Sequence, residues 1–154
     1  EADQRHADLV IRTLNLEQGK QVKTPGEEEK PWRREEEAEK LGAAAAQEYR
    51  ALAASLNYLA MDRPDIQYVV KEVCRAMSSP SLGDKRKLKR IARYFVGRPR
   101  IIIKYPWQEE NVNIDTYGDA NWAGCDKTAR PTSGGAIMRG SHLIKILGHT
   151  TEKT

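Results

Sequence analysis

The chain is poor in aromatic residues, cysteine and long hydrophobic runs. Aromatic side chains make up 6% of the 154 residues, with a single Phe, so a packed core is possible but limited. No apolar stretch approaches the roughly 18 residues that a membrane-spanning helix needs, and we expect no membrane span. The first residues have neither the basic nor the apolar region of a signal peptide, so we expect an intracellular protein, cytoplasmic or nuclear.

The two cysteines, Cys74 and Cys125, lie far apart and lack the spacing typical of metal ligands. One disulfide between them stays open as an alternative, but reduced thiols in an intracellular protein are favoured. The sequence also has no Met at its first position, and we expect it to be an internal piece of a longer protein.

Basic residues are concentrated in one part of the chain. The formal net charge is +4, and residues 84–104 contain nine Lys or Arg against one Asp. Residues 1–40, in contrast, contain 8 basic and 11 acidic side chains. A compact block of positive charge attracts polyanions, and nucleic acid is the first candidate.

An acidic segment over residues 17–42 has the composition of a linker. It contains Gly19, a Thr-Pro-Gly sequence and seven Glu between positions 27 and 39. We interpret these Glu as part of a solvated, partly disordered tether, which is favoured over an acidic binding site.

Hydrophobic periodicity predicts helices at residues 3–15, 43–61, 65–78 and 84–97. Pro64 is tolerated in the first turn of the third helix, and Gly97 is typical of the position just past a helix end.

The last predicted helix has two opposite faces. Its apolar face contains Leu88, Ile91, Ala92 and Phe95. Five cations with no interleaved acid form the other face: Lys85, Arg86, Lys89, Arg90 and Arg93. An ordinary solvated face and a surface that contacts the phosphate backbone of nucleic acid are equally compatible with this pattern.

After Gly97 the pattern changes to alternating or continuous apolar residues, which predicts strands. They are predicted at 101–105, 112–117, 135–138 and 143–147, with a hairpin turn over 139–142. Helices followed by antiparallel strands predict an α+β chain with a boundary near 98–110.

Several motifs, in this order, resemble the Pol polyproteins of copia-type LTR retrotransposons. They are Val22-Lys23-Thr24-Pro25, Tyr49-Arg50, Leu56-Asn57-Tyr58-Leu59, Arg63-Pro64-Asp65-Ile66, Lys89-Arg90-Ile91-Ala92-Arg93-Tyr94, 119-DANWAG-124 and 132-TSGG-135. The resemblance covers nearly the whole chain. It implies a helix from the end of the polymerase region (1–16), the acidic linker (17–42) and a helical region like the thumb and connection of a reverse transcriptase (43–98). Residues 99–154 would then be the truncated start of an RNase H-like domain, an incomplete antiparallel three-stranded sheet.

The same resemblance implies a catalytic, metal-binding role for Asp119 at the end of the first RNase H-like strand. RNase H cleavage uses two Mg²⁺ ions, and Mg²⁺ prefers clustered carboxylate oxygens. The family takes about four acids from distant parts of the fold, and Asp119 is the one that matches here; the second Asp of its motif is Asn121. An ordinary strand-end role stays open for Asp119. We expect no stable Mg²⁺ binding by this chain alone.

The polymerase site of the parent family is also incomplete. A reverse transcriptase needs two adjacent aspartates, and no Asp-Asp pair occurs in the sequence. The resemblance therefore implies a fragment of an RNA-directed DNA polymerase/ribonuclease H that is catalytically incomplete. We expect it to retain non-specific contact with the backbone of an RNA–DNA hybrid or duplex through the basic helix. The alternative is a non-enzymatic structural subunit that pairs with other protein chains through an exposed sheet edge.

Overall fold

The described residues form four helices followed by three strands. The computed structural model describes residues 3–27, 38–110, 113–121 and 132–150. The chain divides into two units, a helical unit at Glu1–Ile102 and a sheet-containing unit at Ile103–Thr154. The chain is therefore α+β, as the sequence predicts. None of the helices in the described ranges is long and apolar enough to cross a membrane.

The four predicted helices are confirmed, with shifted ends. They are α1 (Gln4–Thr13), α2 (Ala43–Leu59), α3 (Gln67–Arg75) and α4 (Leu82–Gly97). Helix α4 begins two residues earlier than predicted because Ser81 and Asp84 form a capping box. The Ser81 amide donates to the Asp84 carboxylate at 3.0 Å, and the Asp84 amide donates to the Ser81 hydroxyl at 3.3 Å.

One apolar face from each helix contributes to a single core in the helical unit. Its fully or nearly fully buried members include Ala7, Val10, Tyr49, Leu52, Ala53, Leu56, Leu59, Ile66, Val70, Val73, Leu88, Ile91, Ala92 and Phe95. Most are aliphatic, as the composition requires, and the helical spacing of the sequence predicts which face is buried.

The Tyr49-Arg50 pair of α2 holds the end of α3. The Tyr49 hydroxyl donates to the Val73 carbonyl at 2.7 Å, and Arg50 Nε donates to the Met77 carbonyl at 2.8 Å. The last carbonyls of a helix have no partner within the helix. Side chains of α2 therefore provide partners for backbone groups at and just beyond the end of α3.

Arg63, in the turn between α2 and α3, has a fully buried side chain with 1% of its surface exposed. Its Nε and Nη2 atoms donate to the two carboxylate oxygens of Asp65 at 2.9 and 2.7 Å. The Pro99 carbonyl accepts from Nη1 at 3.0 Å, and the Arg98 carbonyl from Nη2 at 3.2 Å. The guanidinium carbon also lies 5.3 Å from the ring centre of Phe95. These contacts compensate for the cost of burying a cation, and they join the α2–α3 turn to the end of α4.

Asp65 accepts a third hydrogen bond, from the Tyr94 hydroxyl of α4 at 2.8 Å. Burial raises the pKa of Asp65, but the hydrogen bonds from Arg63 and Tyr94 lower it more, so the pKa lies below its ordinary value of 3.8. The folded state thus favours the charged carboxylate. This contribution to stability is present above the ordinary pKa and is lost as the pH falls through the lower pKa of the folded state.

The sheet is antiparallel, in the order β1-β2-β3. Its strands are β1 (Asp115–Asn121), β2 (Thr132–Arg139) and β3 (His142–Thr150), which confirm three of the four predicted strands. The predicted hairpin turn joins β2 to β3 through Gly140 and Ser141, with Gly140 at a φ of +57°. A bulge follows at Ile144, since Met138 pairs with Leu143 but Ile137 pairs with Lys145.

The strand predicted at 101–105 is wrong, because residues 101–110 form neither helix nor strand. From Tyr105 onward this segment contacts the hairpin through side chains instead of a backbone ladder. The Tyr105 hydroxyl donates to the Leu143 carbonyl at 3.0 Å. Gln108 accepts from the Ser141 amide at 2.9 Å and donates to the Arg139 carbonyl at 2.9 Å. Pro106, which has no amide hydrogen, also interrupts any ladder.

We predict that Asp65→Asn lowers the free energy of unfolding at neutral pH by about 1–3 kcal/mol, because Arg63 loses a charged partner. Urea unfolding of both proteins at neutral pH and at steps below pH 4 measures this. The difference in the free energy of unfolding between the wild type and the variant should shrink as the pH falls, since the wild-type carboxylate becomes protonated. Asp62→Asn, at an exposed position nearby, is the matched control. Equal pH dependence of the Asp65→Asn variant and the wild type would contradict the prediction.

Candidate nucleic-acid interface

The five predicted cations lie along α4 on the side away from the core. Lys89 is exposed, whereas Lys85, Arg86, Arg90 and Arg93 are partly buried. The structure therefore brings all five onto one helix face. It also surrounds four of them with groups from the same chain, which the sequence did not indicate.

Residues 20–27, which we name the α4 strap, run along the basic face. Arg93 Nε donates to the Lys20 carbonyl at 2.7 Å, and the Val22 amide donates to the Arg93 carbonyl at 3.3 Å. Arg90 binds the other end of the strap through the Gly26 carbonyl, at 3.0 Å from Nε, and the Thr24 hydroxyl, at 2.9 Å from Nη2. Residues 20–27 of the predicted acidic linker are therefore bonded to α4, although most of them are exposed.

Two described acidic side chains, Glu27 and Glu48, form ion pairs with three of the five cations. The Glu27 carboxylate lies 3.0 Å from Arg90 Nη1 and 3.8 Å from Arg86 Nε. The Glu48 carboxylate of α2 lies 3.4 Å from Lys85 Nζ. Part of the positive charge of the face is thus balanced within the chain. Among the ion pairs of the described residues, none involves Lys89.

The other described end of the linker is also bonded to the helical unit. The Leu41 amide donates to the Pro80 carbonyl, and the Leu82 amide donates to the Glu39 carbonyl, both at 2.9 Å. Five of the seven linker Glu fall within residues 28–37, and those ten positions lie outside the described residues. The tether interpretation for that stretch remains a prediction.

Asp119 lies near the end of β1, and it is exposed. It pairs with Gly134 of β2, which pairs in turn with Gly148 of β3. Directly paired residues lie on the same face of a sheet, and glycine has no side chain. Among the described residues, a Cβ added to Gly134 would meet only the Leu147 carbonyl, at 4.0 Å. Within the described residues, the sheet surface beside Asp119 is therefore open.

The described residues do not fit the Mg²⁺ pair that the resemblance implies. In the described ranges, no group of three or more His, Cys, Asp or Glu could hold a metal ion. Asp119 thus has no described carboxylate partners for two divalent cations. Residues 122–131, which continue its motif, lie outside the described residues.

The thiol of Cys74 is free and faces the Ala53 carbonyl, with Sγ at 3.7 Å. Burial raises the pKa of this thiol, which favours the protonated, unreactive form. Cys125, the possible disulfide partner, lies outside the described residues.

The most informative residues that sequence reasoning missed are the partners of the cations. Thr24, Gly26 and Glu27 lie more than sixty positions before Arg90, so no local pattern connects them. The only available signal was the coexistence of an acidic segment and a basic helix in one short chain. Such a signal favours ion pairs between the segment and the helix but does not identify the residues that form them.

Comparison with known proteins shows three related sequences from Arabidopsis thaliana. The chain is 36% identical over 97 residues to the uncharacterized mitochondrial protein AtMg00810, and the match covers 63% of the chain and 40% of that protein. It is 37% identical over 99 residues to the retrovirus-related Pol polyprotein from transposon RE1 and 35% identical over 99 residues to that from transposon RE2.

The two polyprotein matches each cover 63% of the chain, but only 6% and 7% of the polyproteins. The chain thus spans well under half the length of the relatives it matches. No family model matches the sequence, and no solved structure matches it. The ordered motifs and these identities lead to the same conclusion: the chain is homologous to a segment of the retrovirus-related Pol polyproteins of retrotransposons.

Proposed function

We propose that the chain is a fragment of a copia-type reverse transcriptase/RNase H polyprotein whose helical unit contacts the backbone of an RNA–DNA hybrid or DNA duplex. The observation behind this proposal is the placement of Lys85, Arg86, Lys89, Arg90 and Arg93 on one face of α4, in a chain homologous to Pol polyproteins. The contact would be electrostatic and independent of base sequence.

The ion pairs that the cations of α4 form with Glu27 and Glu48 are compatible with contact to a nucleic-acid backbone. Surface ion pairs contribute roughly 0–1 kcal/mol each and are screened by salt, so a polyanion can replace them. Lys89 is exposed and can contact a phosphate without breaking any ion pair described above. Arg90 and Arg86 offer planar guanidinium groups, which match phosphate oxygens well.

The helical unit would correspond to the thumb and connection, and the sheet to the start of an RNase H-like domain. Three antiparallel strands with Asp119 near the end of β1 are compatible with that assignment. Hydrolysis would need two Mg²⁺ ions, which activate water and stabilise the leaving oxygen. Asp119 alone does not supply the oxygen ligands for such a pair, so the proposed fragment would bind nucleic acid without cleaving it.

We predict salt-dependent binding of an RNA–DNA hybrid, measured by fluorescence anisotropy over a range of salt concentrations. Each phosphate contact should contribute about 0.9 to the slope of log affinity against log salt. Lys89→Gln should reduce that slope by about one such contact. Lys145→Gln removes the same charge from β3 and should have little effect. An affinity that is absent at low salt, or independent of salt, would refute the proposed interface.

The fragment should not degrade the RNA strand of a hybrid in millimolar Mg²⁺, because its carboxylate set is incomplete. Gel analysis of a labelled hybrid, with the Asp119→Asn variant in parallel, measures this. Cleavage by the wild type that disappears in the variant would overturn the proposal of catalytic incompleteness.

The sheet supports a second candidate function, as a structural subunit of a larger assembly. Both β1 and β3 are edge strands within the described sheet, and edges favour pairing with another chain. None of the described side chains beyond Phe95 is buried, and Tyr117, Ile144 and Leu147 are exposed. The described part of this unit therefore lacks a covered core of its own.

If this second function is correct, the chain should self-associate or co-sediment with a partner in a concentration-dependent way. Sedimentation velocity over a wide range of protein concentration measures the effect. A Tyr117→Lys variant should weaken association by placing charge on the sheet face, while Tyr58→Lys in the helical unit should not. A wild type that stays monomeric throughout argues against a structural subunit.

A further inference from the structure

The Glu27 carboxylate occupies a position between two guanidinium groups of α4. It lies 3.0 Å from Arg90 Nη1 and 3.8 Å from Arg86 Nε. Charged hydrogen bonds from arginine to an oxyanion are the same interactions by which arginine binds phosphate. Glu27 therefore occupies the location that a backbone phosphate would take on this face.

The remaining donors of Arg90 also bind the α4 strap. Nε donates to the Gly26 carbonyl and Nη2 donates to the Thr24 hydroxyl. All three nitrogens of this guanidinium are thus directed at the strap. A phosphate that approaches Arg90 must compete with these groups, and Glu27 is the charged group among them.

We propose that the α4 strap is an intramolecular competitor for phosphate, with Glu27 as the group that a nucleic-acid backbone displaces. This inference rests on the proposed function, because it concerns the same basic face. A group tethered to the protein has a high effective concentration at its site, so it lowers the apparent affinity of the face for any external polyanion. The strap makes the interface weaker and more selective for ligands that present several phosphates at once.

The contacts divide the strap into a held part and a displaceable part. At its start, Arg93 binds the Lys20 carbonyl and accepts from the Val22 amide through its own carbonyl. Val22 also packs against the core. At the other end of the strap, Glu27 is an exposed residue whose carboxylate contacts Arg90 Nη1. The Glu27 carboxylate can therefore leave Arg90 Nη1 while residues 20–22 stay bound.

The test compares the hybrid affinity of the wild type, Glu27→Gln and Glu72→Gln at several salt concentrations. Glu72 lies in α3 and forms an ion pair with Arg75 at 3.1 Å. Its substitution changes the net charge equally and also removes one surface ion pair, but it leaves α4 untouched. We expect Glu27→Gln to bind about fivefold more tightly at low salt with a steeper salt slope, and Glu72→Gln to change affinity less than twofold. Urea unfolding midpoints of the three proteins check that the fold is retained.

The outcomes separate this inference from the proposed function. If both variants bind the hybrid with the same affinity as the wild type, the strap does not compete with phosphate, while the basic face remains an interface. If only Glu27→Gln binds, the strap masks the face completely, which supports the inference. If none of the three proteins binds the hybrid even at low salt, both the inference and the proposed function are refuted.

Discussion

The buried guanidinium of Arg63 is the interaction on which the helical unit depends most. A cation with 1% exposure is tolerated only because every side of the group is satisfied, by Asp65, by two carbonyls after α4 and by the Phe95 ring. The Tyr94 hydroxyl extends the same network from α4 to Asp65. The network joins the C-terminal end of α4 to the α2–α3 turn, while the apolar residues of α4 determine which of its faces is buried.

The motifs that resemble retrotransposon polyproteins have mainly structural roles in this chain. Tyr49 and Arg50 bind carbonyls at the end of α3, and Arg63 and Asp65 form the buried network. Thr24 binds Arg90, which belongs to a different motif. These motif residues thus have a structural explanation within this chain. A match to such motifs does not by itself indicate a shared reaction.

Periodicity predicted the helices and their buried faces well, because one-sided burial leaves a regular trace in sequence. The strand at 101–105 failed for a physical reason: three consecutive isoleucines suit a strand, but Tyr105 and Gln108 bind the hairpin through side chains. The basic face was placed correctly, whereas its partners were not found. Contacts such as Arg90 with Glu27, separated by 63 positions, depend on how the linker folds back and leave no local pattern.

One consequence concerns Gly135, which lies in the middle of the sheet. A Cβ at this position would come within 2.8 Å of the Tyr117 carbonyl of β1. Even a methyl group would force β1 and β2 apart at the Gly118–Gly135 pair, one residue from Asp119. The close pairing of β1 with β2 beside Asp119 thus requires a residue without a side chain at position 135. A Gly135→Ala change would therefore disturb the strand pairing next to Asp119 without contacting that residue.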